Sequence, residues 1–124
     1  SITTGSVGSR GGLRLGTHDH NGSTYRRAYG VIDQTAGSQL TIGALDIRQL
    51  SGSGSIDLSL LTNEIQSVGY VERGGAISLF DKDTEANGLI LNGGITAGTN
   101  SNAVKIETLG ALNHSHHIYG QGIT

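Results

Sequence analysis

The chain has 124 residues, of which 21 are glycine, and it contains neither proline nor cysteine. Without cysteine, disulfides and thiolate chemistry are excluded, and a formal charge of −2 gives no electrostatic reason to expect nucleic acid as a partner. No run of about 18 apolar residues suits a membrane-spanning helix. Glycine-rich linkers normally carry proline as well, so the composition favours paired strands, in which proline would interrupt the hydrogen-bonded ladder.

Residues 1–35 are the less regular part of what we predict to be a single all-β domain over residues 1–124. Their apolar residues are scattered among glycine and serine, and Leu13–Leu15 has the pattern of a short strand. Residues 1–30 contain four arginines and one aspartate, a local charge of +3 that leaves −5 for the rest of the chain. We therefore expect a positively charged N-terminal part joined to a more regular and acidic one.

Residues 36–124 alternate short apolar segments with small polar turns. Each segment has the length of a strand and is too short for an ordinary helix. Strands of this kind, separated by turns, predict a parallel β-solenoid with one strand on each side of a coil. A β-sandwich is the alternative, because antiparallel strands with glycine-rich turns give a similar local pattern. The segments lie at Leu40–Ile47, Ile56–Leu60, Val68–Val71, Ile77–Leu79, Leu89–Leu91, Ile95–Ala97 and Val104–Ile106.

Internal repetition supports the solenoid. An offset of 21 residues aligns aliphatic pairs: Ile47 with Val68, Ile56 with Ile77, and Leu58 with Leu79. A coil of about 20 residues is typical of a solenoid repeat, and the chain would hold about five or six of them. The side chains predicted to stack in the core are Ile56, Leu58, Ile77, Leu79, Leu89, Leu91, Val104 and Ile106.

The clearest pattern lies in residues 88–112, where an aliphatic segment is followed by Asn-Gly-Gly, then Ile-Thr and a small residue. These residues resemble the degenerate coils of β-helical bacterial surface proteins, the autotransporter passengers and filamentous adhesins. The resemblance extends more loosely over residues 40–112. It implies a right-handed parallel β-helix on the outside of a cell, involved in adhesion or in forming a fibre.

Four of the five histidines form two His-x-His pairs, His18 with His20 and His114 with His116. On a strand, residues two apart face the same side, so each pair would present two imidazoles to one metal ion. The pattern is also similar to a device of trimeric phage tail spikes and short tail fibres. That resemblance implies three chains placing six imidazoles around an axial iron. The alternative is that both pairs are polar loops or exposed strand faces.

A second candidate site is the acidic segment formed by Asp81, Asp83 and Glu85. Carboxylates at alternate positions are how calcium-binding loops begin. However, Lys82 adds a competing charge and Ala86 stands where the EF-hand loop needs glycine. The alternative is a solvated turn.

A third candidate is an anion or glycan contact formed by Tyr25, Arg26, Arg27 and Tyr29. Guanidinium groups bind anions in a bidentate geometry, and tyrosine rings pack on sugars. The alternative is that the arginine pair lies at a solvated strand edge, where charge discourages aggregation.

Catalytic patterns are weak: no G-x-S-x-G nucleophile elbow and no phosphate-binding Gly-Lys-Ser/Thr loop is present. We therefore expect a non-enzymatic, extracellular structural or adhesive module without a resident cofactor, which associates with copies of itself into a surface fibre. The alternative function is a glycan-binding or glycan-cleaving domain of a trimeric phage tail fibre or spike, exposed on the virion.

Overall fold

The computed structural model describes thirteen strands and no helix. The described residues are 2–3, 11–16, 22, 24–27, 30–48, 54–73, 75–82, 84, 88–97, 103–114, 116–120 and 122–124. The strands are β1 (Ile2–Thr3), β2 (Leu13–Gly16), β3 (Arg26–Arg27), β4 (Ile32–Asp33), β5 (Leu40–Arg48), β6 (Ile56–Leu58), β7 (Glu64–Arg73), β8 (Ile77–Asp81), β9 (Leu89–Leu91), β10 (Ile95–Ala97), β11 (Val104–Thr108), β12 (Leu112–His114) and β13 (Ile118–Tyr119).

The strands form two sheets, and within each sheet every described pair of neighbouring strands is parallel. The first sheet has the order β12-β9-β7-β5-β2-β3, with β1 beside β5 and with β10 between β7 and β13. The second sheet has the order β11-β8-β6-β4. The chain thus passes from one sheet to the other and returns one strand further along. It forms a parallel β-solenoid of about three turns, which confirms the predicted fold and excludes the sandwich.

Each coil has three sides because the first sheet bends. The long strands β5 and β7 continue through the bend, and the register shifts between Leu45 and Ile47. In the next coil the same path is divided between two strands, since β7 pairs with β9 before the bend and with β10 after it. The third side is the second sheet. A bulge at a bend of this kind turns the strand without ending it.

The spacing between coils is longer and less regular than the sequence predicted. Along the second sheet, Ile32, Ile56, Ile77 and Val104 are stacked neighbours, at intervals of 24, 21 and 27 residues. The offset of 21 is therefore confirmed between β6 and β8. It is wrong in the first sheet, where Ile47 lies beside Val71, because the bulge and the unequal loops lengthen the coils. The solenoid has about three turns, and the prediction of five or six is therefore wrong.

The core is a stack of aliphatic side chains enclosed by the two sheets. All eight residues predicted to lie there are buried, which follows from the alternation of buried and more exposed positions along each strand. Register places Leu45, Val68 and Leu91 in one column across three coils. Parallel stacking thus repeats the same inward position from one coil to the next.

The buried amide of Asn63 and the half-buried amide of Gln34 hold the corner where the second sheet returns to the first. Asn63 and Gln34 exchange two hydrogen bonds, of 2.7 and 2.8 Å, between their side-chain amides. The Asn63 amide also donates to the carbonyl of Leu58 and accepts from the N–H of Leu40. A fully buried amide is stable only when its polar atoms are paired in this way.

We expect Asn63→Ala to lower the free energy of unfolding by about 1–3 kcal/mol, because it leaves buried backbone groups of Leu40 and Leu58 without their partner. Asn92→Ala is the matched control, since the Asn92 side chain is exposed and such substitutions change stability by about 0.5 kcal/mol or less. Urea unfolding of both variants measures the difference. Equal stability of the two would contradict a structural role for the corner.

Candidate functional site

The two ends of the solenoid form the first candidate surface. At the C-terminal end, β12 and β13 form the last described coil of the first sheet. Thr124 lies beside β11, since it donates to the carbonyl of Val104 and accepts from the N–H of Ile106, both at 2.9 Å. This end exposes Leu112 (42%) and Ile123 (51%). Large apolar side chains clustered on one end of a domain are typical of an interaction surface.

At the N-terminal end, β3 and β4 are the outermost strands of the two sheets. Between the sheets a cavity of about 230 Å³ opens onto the core. Its polar rim includes Asp33, Gln34 and Gln39, and its apolar lining consists of Leu13, Leu15, Ile32, Leu40 and Leu58. This end therefore combines sheet edges with an apolar recess.

The second candidate surface is a cluster on the outer side of the first sheet, formed by Arg48, Tyr70 and Glu72 and named here the Tyr70 cluster. The Arg48 guanidinium carbon lies 4.0 Å from the centre of the Tyr70 ring, a cation–π geometry. The Tyr70 hydroxyl donates a hydrogen bond of 2.6 Å to the Glu72 carboxylate. These contacts fix the orientation of the ring.

The strand pattern explains why these three side chains meet. Val71 is buried, so Tyr70 and Glu72 on either side of it face outwards. Register places Arg48 of β5 beside Glu72 of β7. At the bend, the Asp46 carboxylate accepts a hydrogen bond of 2.7 Å from the N–H of Tyr70, which holds the backbone that carries the ring.

Glycine at position 69 leaves room for this arrangement. A Cβ on Gly69 would lie 3.1 Å from the atoms of the Asp46 carboxylate, closer than most real Cβ contacts. A larger residue would therefore displace the carboxylate from the backbone of Tyr70. The Tyr70 cluster thus depends on a glycine that the sequence alone does not single out.

The next two coils add Gly94, His117 and Tyr119. Because Val71, Ile95 and Ile118 are stacked neighbours, the residues that precede them in sequence also occupy equivalent positions. Gly94 has no side chain there, and a Cβ on it would lie 3.9 Å from the Tyr70 ring. The rings of His117 and Tyr119 are exposed, with centres 5.6 Å apart. The order of the coils thus places Gly94 between Tyr70 on one side and these two rings on the other, and this position is named here the Gly94 slot.

The hydrogen bond to Glu72 is the main reason why the pKa of Tyr70 is raised, followed by burial and by the negative charge of Glu72, while Arg48 acts in the opposite direction. The folded protein therefore holds this proton more tightly than the unfolded chain. The stabilisation of the folded protein by the protonated Tyr70 hydroxyl is fully present below about pH 10, the ordinary tyrosine pKa. It is lost as the pH rises through the raised pKa of Tyr70.

We expect Tyr70→Phe to be less stable than the parent at about pH 8, with the difference shrinking as the pH rises above about 10. Tyr119→Phe is the control, since its hydroxyl lies in an exposed side chain. Urea unfolding across this pH range compares the three proteins. A parent–Tyr70→Phe difference that stays constant above the raised pKa would show that the hydroxyl does not bind Glu72.

Of the predicted metal ligands, the structure describes His114 and His116. His18 and His20 lie outside the described residues. β12 ends at His114, and His116 lies beyond it in a bend, so the predicted second pair does not share one strand face. His114 lies beside Leu91 in the register of the sheet, and its side chain is exposed. Among the described residues, no group of three or more potential ligands is placed to hold a metal ion. Metal binding stays a prediction.

The predicted calcium segment begins with a residue that has a structural role. Asp81 is fully buried, and its carboxylate accepts hydrogen bonds from the N–H of Ile65 at 2.9 Å and from the hydroxyl of Thr108 at 3.3 Å. It joins three consecutive coils at one corner. Asp83 and Glu85 lie outside the described residues, so calcium binding also stays a prediction.

The described residues of the predicted glycan contact differ in their exposure. Arg26 and Arg27 are exposed in β3, but Tyr25 is only 4% exposed and its ring packs beside Gly16. Tyr29 lies outside the described residues. The buried ring of Tyr25 is therefore not presented to a ligand, contrary to the prediction.

No sequence motif marks Arg48, Tyr70, Glu72 or Gly94 as site residues. The spacing of Tyr70 and Glu72, two residues apart on a predicted strand, was the available signal. Their relation to Arg48 and Gly94 depends on the register between coils, which the fixed offset of 21 did not give.

Comparison with protein-family models, with curated proteins and with solved structures found no match to this chain. The described part of the chain has no helix long and apolar enough to cross a membrane. The resemblance to β-helical bacterial surface proteins therefore stays a prediction.

Proposed function

We propose that this chain is a non-enzymatic, extracellular structural module whose coils associate end to end with copies of itself into a fibre. The observation that supports this proposal is that its two ends are complementary: one exposes Leu112 and Ile123, and the other opens an apolar cavity between the sheets. An assignment to the cell surface rests on the resemblance of residues 88–112 to surface β-helices.

Strand direction favours a head-to-tail arrangement. Because every described pairing is parallel, the C-terminal end of one copy and the N-terminal end of the next present strands that run the same way. A second copy added in this orientation continues the parallel ladder, whereas two identical ends would meet with opposed strands. Head-to-tail contacts that do not close into a ring generate filaments.

Apolar contact, not charge, holds the two ends together in this proposal. The N-terminal end carries exposed arginines, including Arg14 and Arg26, but residues 112–124 contain no aspartate or glutamate. The acidic residues of the chain lie earlier in the sequence. Association is therefore expected to persist in high salt, since hydrophobic contacts are not screened.

Light scattering over a hundredfold concentration range, with negative-stain images, tests the proposal. We expect the parent to gain mass with concentration and to form filaments, and the double variant Leu112→Glu, Ile123→Glu to stay monomeric. Leu61→Glu is the control, because Leu61 is 73% exposed in the turn between β6 and β7, away from both ends. A parent that is monomeric at every concentration, an SDS-resistant trimer, or assembly unaffected by the double variant would overturn the proposal.

A further inference from the structure

We propose that the Gly94 slot binds one pyranose ring of a neutral glycan. This inference does not depend on end-to-end association, because the slot lies on the outer side of the first sheet. It also differs from the glycan contact predicted from the sequence, which placed the sugar at residues 25–29.

The first wall of the slot is one face of the Tyr70 ring. Arg48, from the coil before, covers the opposite face at 4.0 Å. The coil after carries Gly94, where a Cβ would stand 3.9 Å from the ring, so no side chain at that position covers the second face. The hydrogen bond from Tyr70 to Glu72 keeps the ring in place. A fixed ring loses little side-chain freedom when a ligand binds against it.

The second wall consists of His117 and Tyr119, whose rings are 5.6 Å apart and inclined by 34°. They lie in the coil that follows Gly94, two coils from Tyr70. At about 4.8 Å per coil, the two walls stand roughly 10 Å apart. This spacing leaves room for one flat ring between them, with Gly94 as the floor.

The chemistry of the slot suits a sugar. A pyranose has a face of C–H groups that packs on aromatic rings and an edge of hydroxyls that needs hydrogen-bond partners. Binding sites for such ligands combine apolar walls with a few placed polar groups. Here the polar groups are the Glu72 carboxylate and the Thr96 hydroxyl, which register places side by side and which accept from or donate to hydroxyls.

Charge selects a neutral sugar over an acidic one. Arg48 belongs to the coil before Tyr70 and Gly94 to the coil after it. The guanidinium over the Tyr70 ring is therefore on the side away from the slot, whereas the Glu72 carboxylate is at the rim of the slot. A carboxylate on the ligand would therefore meet Glu72 before it met Arg48, and like charges at close range repel.

Saturation-transfer NMR with maltopentaose, cellopentaose and mannopentaose tests the proposal on the whole chain, with pentagalacturonate and N-acetyl-tyrosinamide as further probes. We expect at least one neutral pentasaccharide to bind. Gly94→Leu, which fills the slot, should weaken that binding at least about tenfold, and Tyr119→Ala about threefold or more. Ala36→Leu is the matched control, because it adds an exposed leucine in a turn outside the slot, and should stay within about twofold of the parent.

A thermal melt of Gly94→Leu close to that of the parent shows that the variant is folded. Three results would overturn the proposal: no binding of any neutral probe by the parent, binding that Gly94→Leu leaves unchanged, or preferential binding of pentagalacturonate. Tighter binding of N-acetyl-tyrosinamide than of the sugars would also overturn it, since the slot would then accept an aromatic side chain of a partner protein.

Discussion

Gly93→Ala is expected to destabilise the protein by at least about 4 kcal/mol, enough to unfold a large fraction of a marginally stable domain. A Cβ at this position would stand 2.0 Å from the carbonyl oxygen of Gly69 in the preceding coil. The two coils would have to separate by more than 1 Å to relieve that overlap, since ordinary contacts begin at about 3.4 Å. Separation would break the hydrogen bonds from Asn92 to Val68 and from Val71 to Gly94.

Gly94→Ala is the matched control, because it places the same methyl group one residue later. Its nearest neighbours would be 3.8 and 3.9 Å away, so we expect a change of about 0.5 kcal/mol or less. Circular dichroism and urea unfolding distinguish the two variants. Equal stability would show that the close approach of coils at Gly93 does not constrain the fold.

Leu91→Ala is expected to lower the free energy of unfolding by about 2–5 kcal/mol. Leu91 is fully buried in the column that includes Leu45 and Val68. The coils on either side are held by parallel ladders, so they are not free to collapse into the space that the shorter side chain leaves. The loss of stability therefore combines the hydrophobic burial that is removed with the cost of the cavity that is left.

Leu61→Ala is the control for this second variant, since the same deletion is made at an exposed position and should change stability by about 0.5 kcal/mol or less. Thermal and urea unfolding measure both. If Leu91→Ala lay within about half a kcal/mol of the parent, the aliphatic stack would not be the main source of stability.

The sequence predicted the fold because the core is built from local patterns. Alternation over Ile56–Leu58 and Ile77–Leu79 fixes which side chains point inward, and both segments proved to be paired strands. The extent of β7 was not predictable in the same way. It begins at Glu64, several residues before the apolar segment Val68–Val71, because polar side chains on its outer side do not reveal that the backbone is still extended.

The candidate sites were less predictable because they depend on register. Arg48 and Tyr70 are 22 residues apart, and a bulge near Leu45 decides that they meet. Asp81 was identified as a possible ligand by its charge, yet its partners lie in the coils before and after its own. No spacing within one segment signals such contacts. Residue type therefore indicated which side chains were unusual, and stacking determined what they touch.

The lengths of the paired strands imply an order of folding. From β4 onward, residues that pair between neighbouring coils of the second sheet are 21 to 27 residues apart in sequence. The chain entropy lost when two coils pair is therefore nearly the same for each. The stabilisation gained when two strands pair differs between coils. It is largest for β5 and β7, because they are neighbours and are the longest strands, with nine and ten residues. We expect this pair to form first and the coils to add outwards from it. Amide hydrogens would then exchange most slowly in β5 and β7 and progressively faster towards β3 and β12, so that the end coils open and close while the centre stays folded.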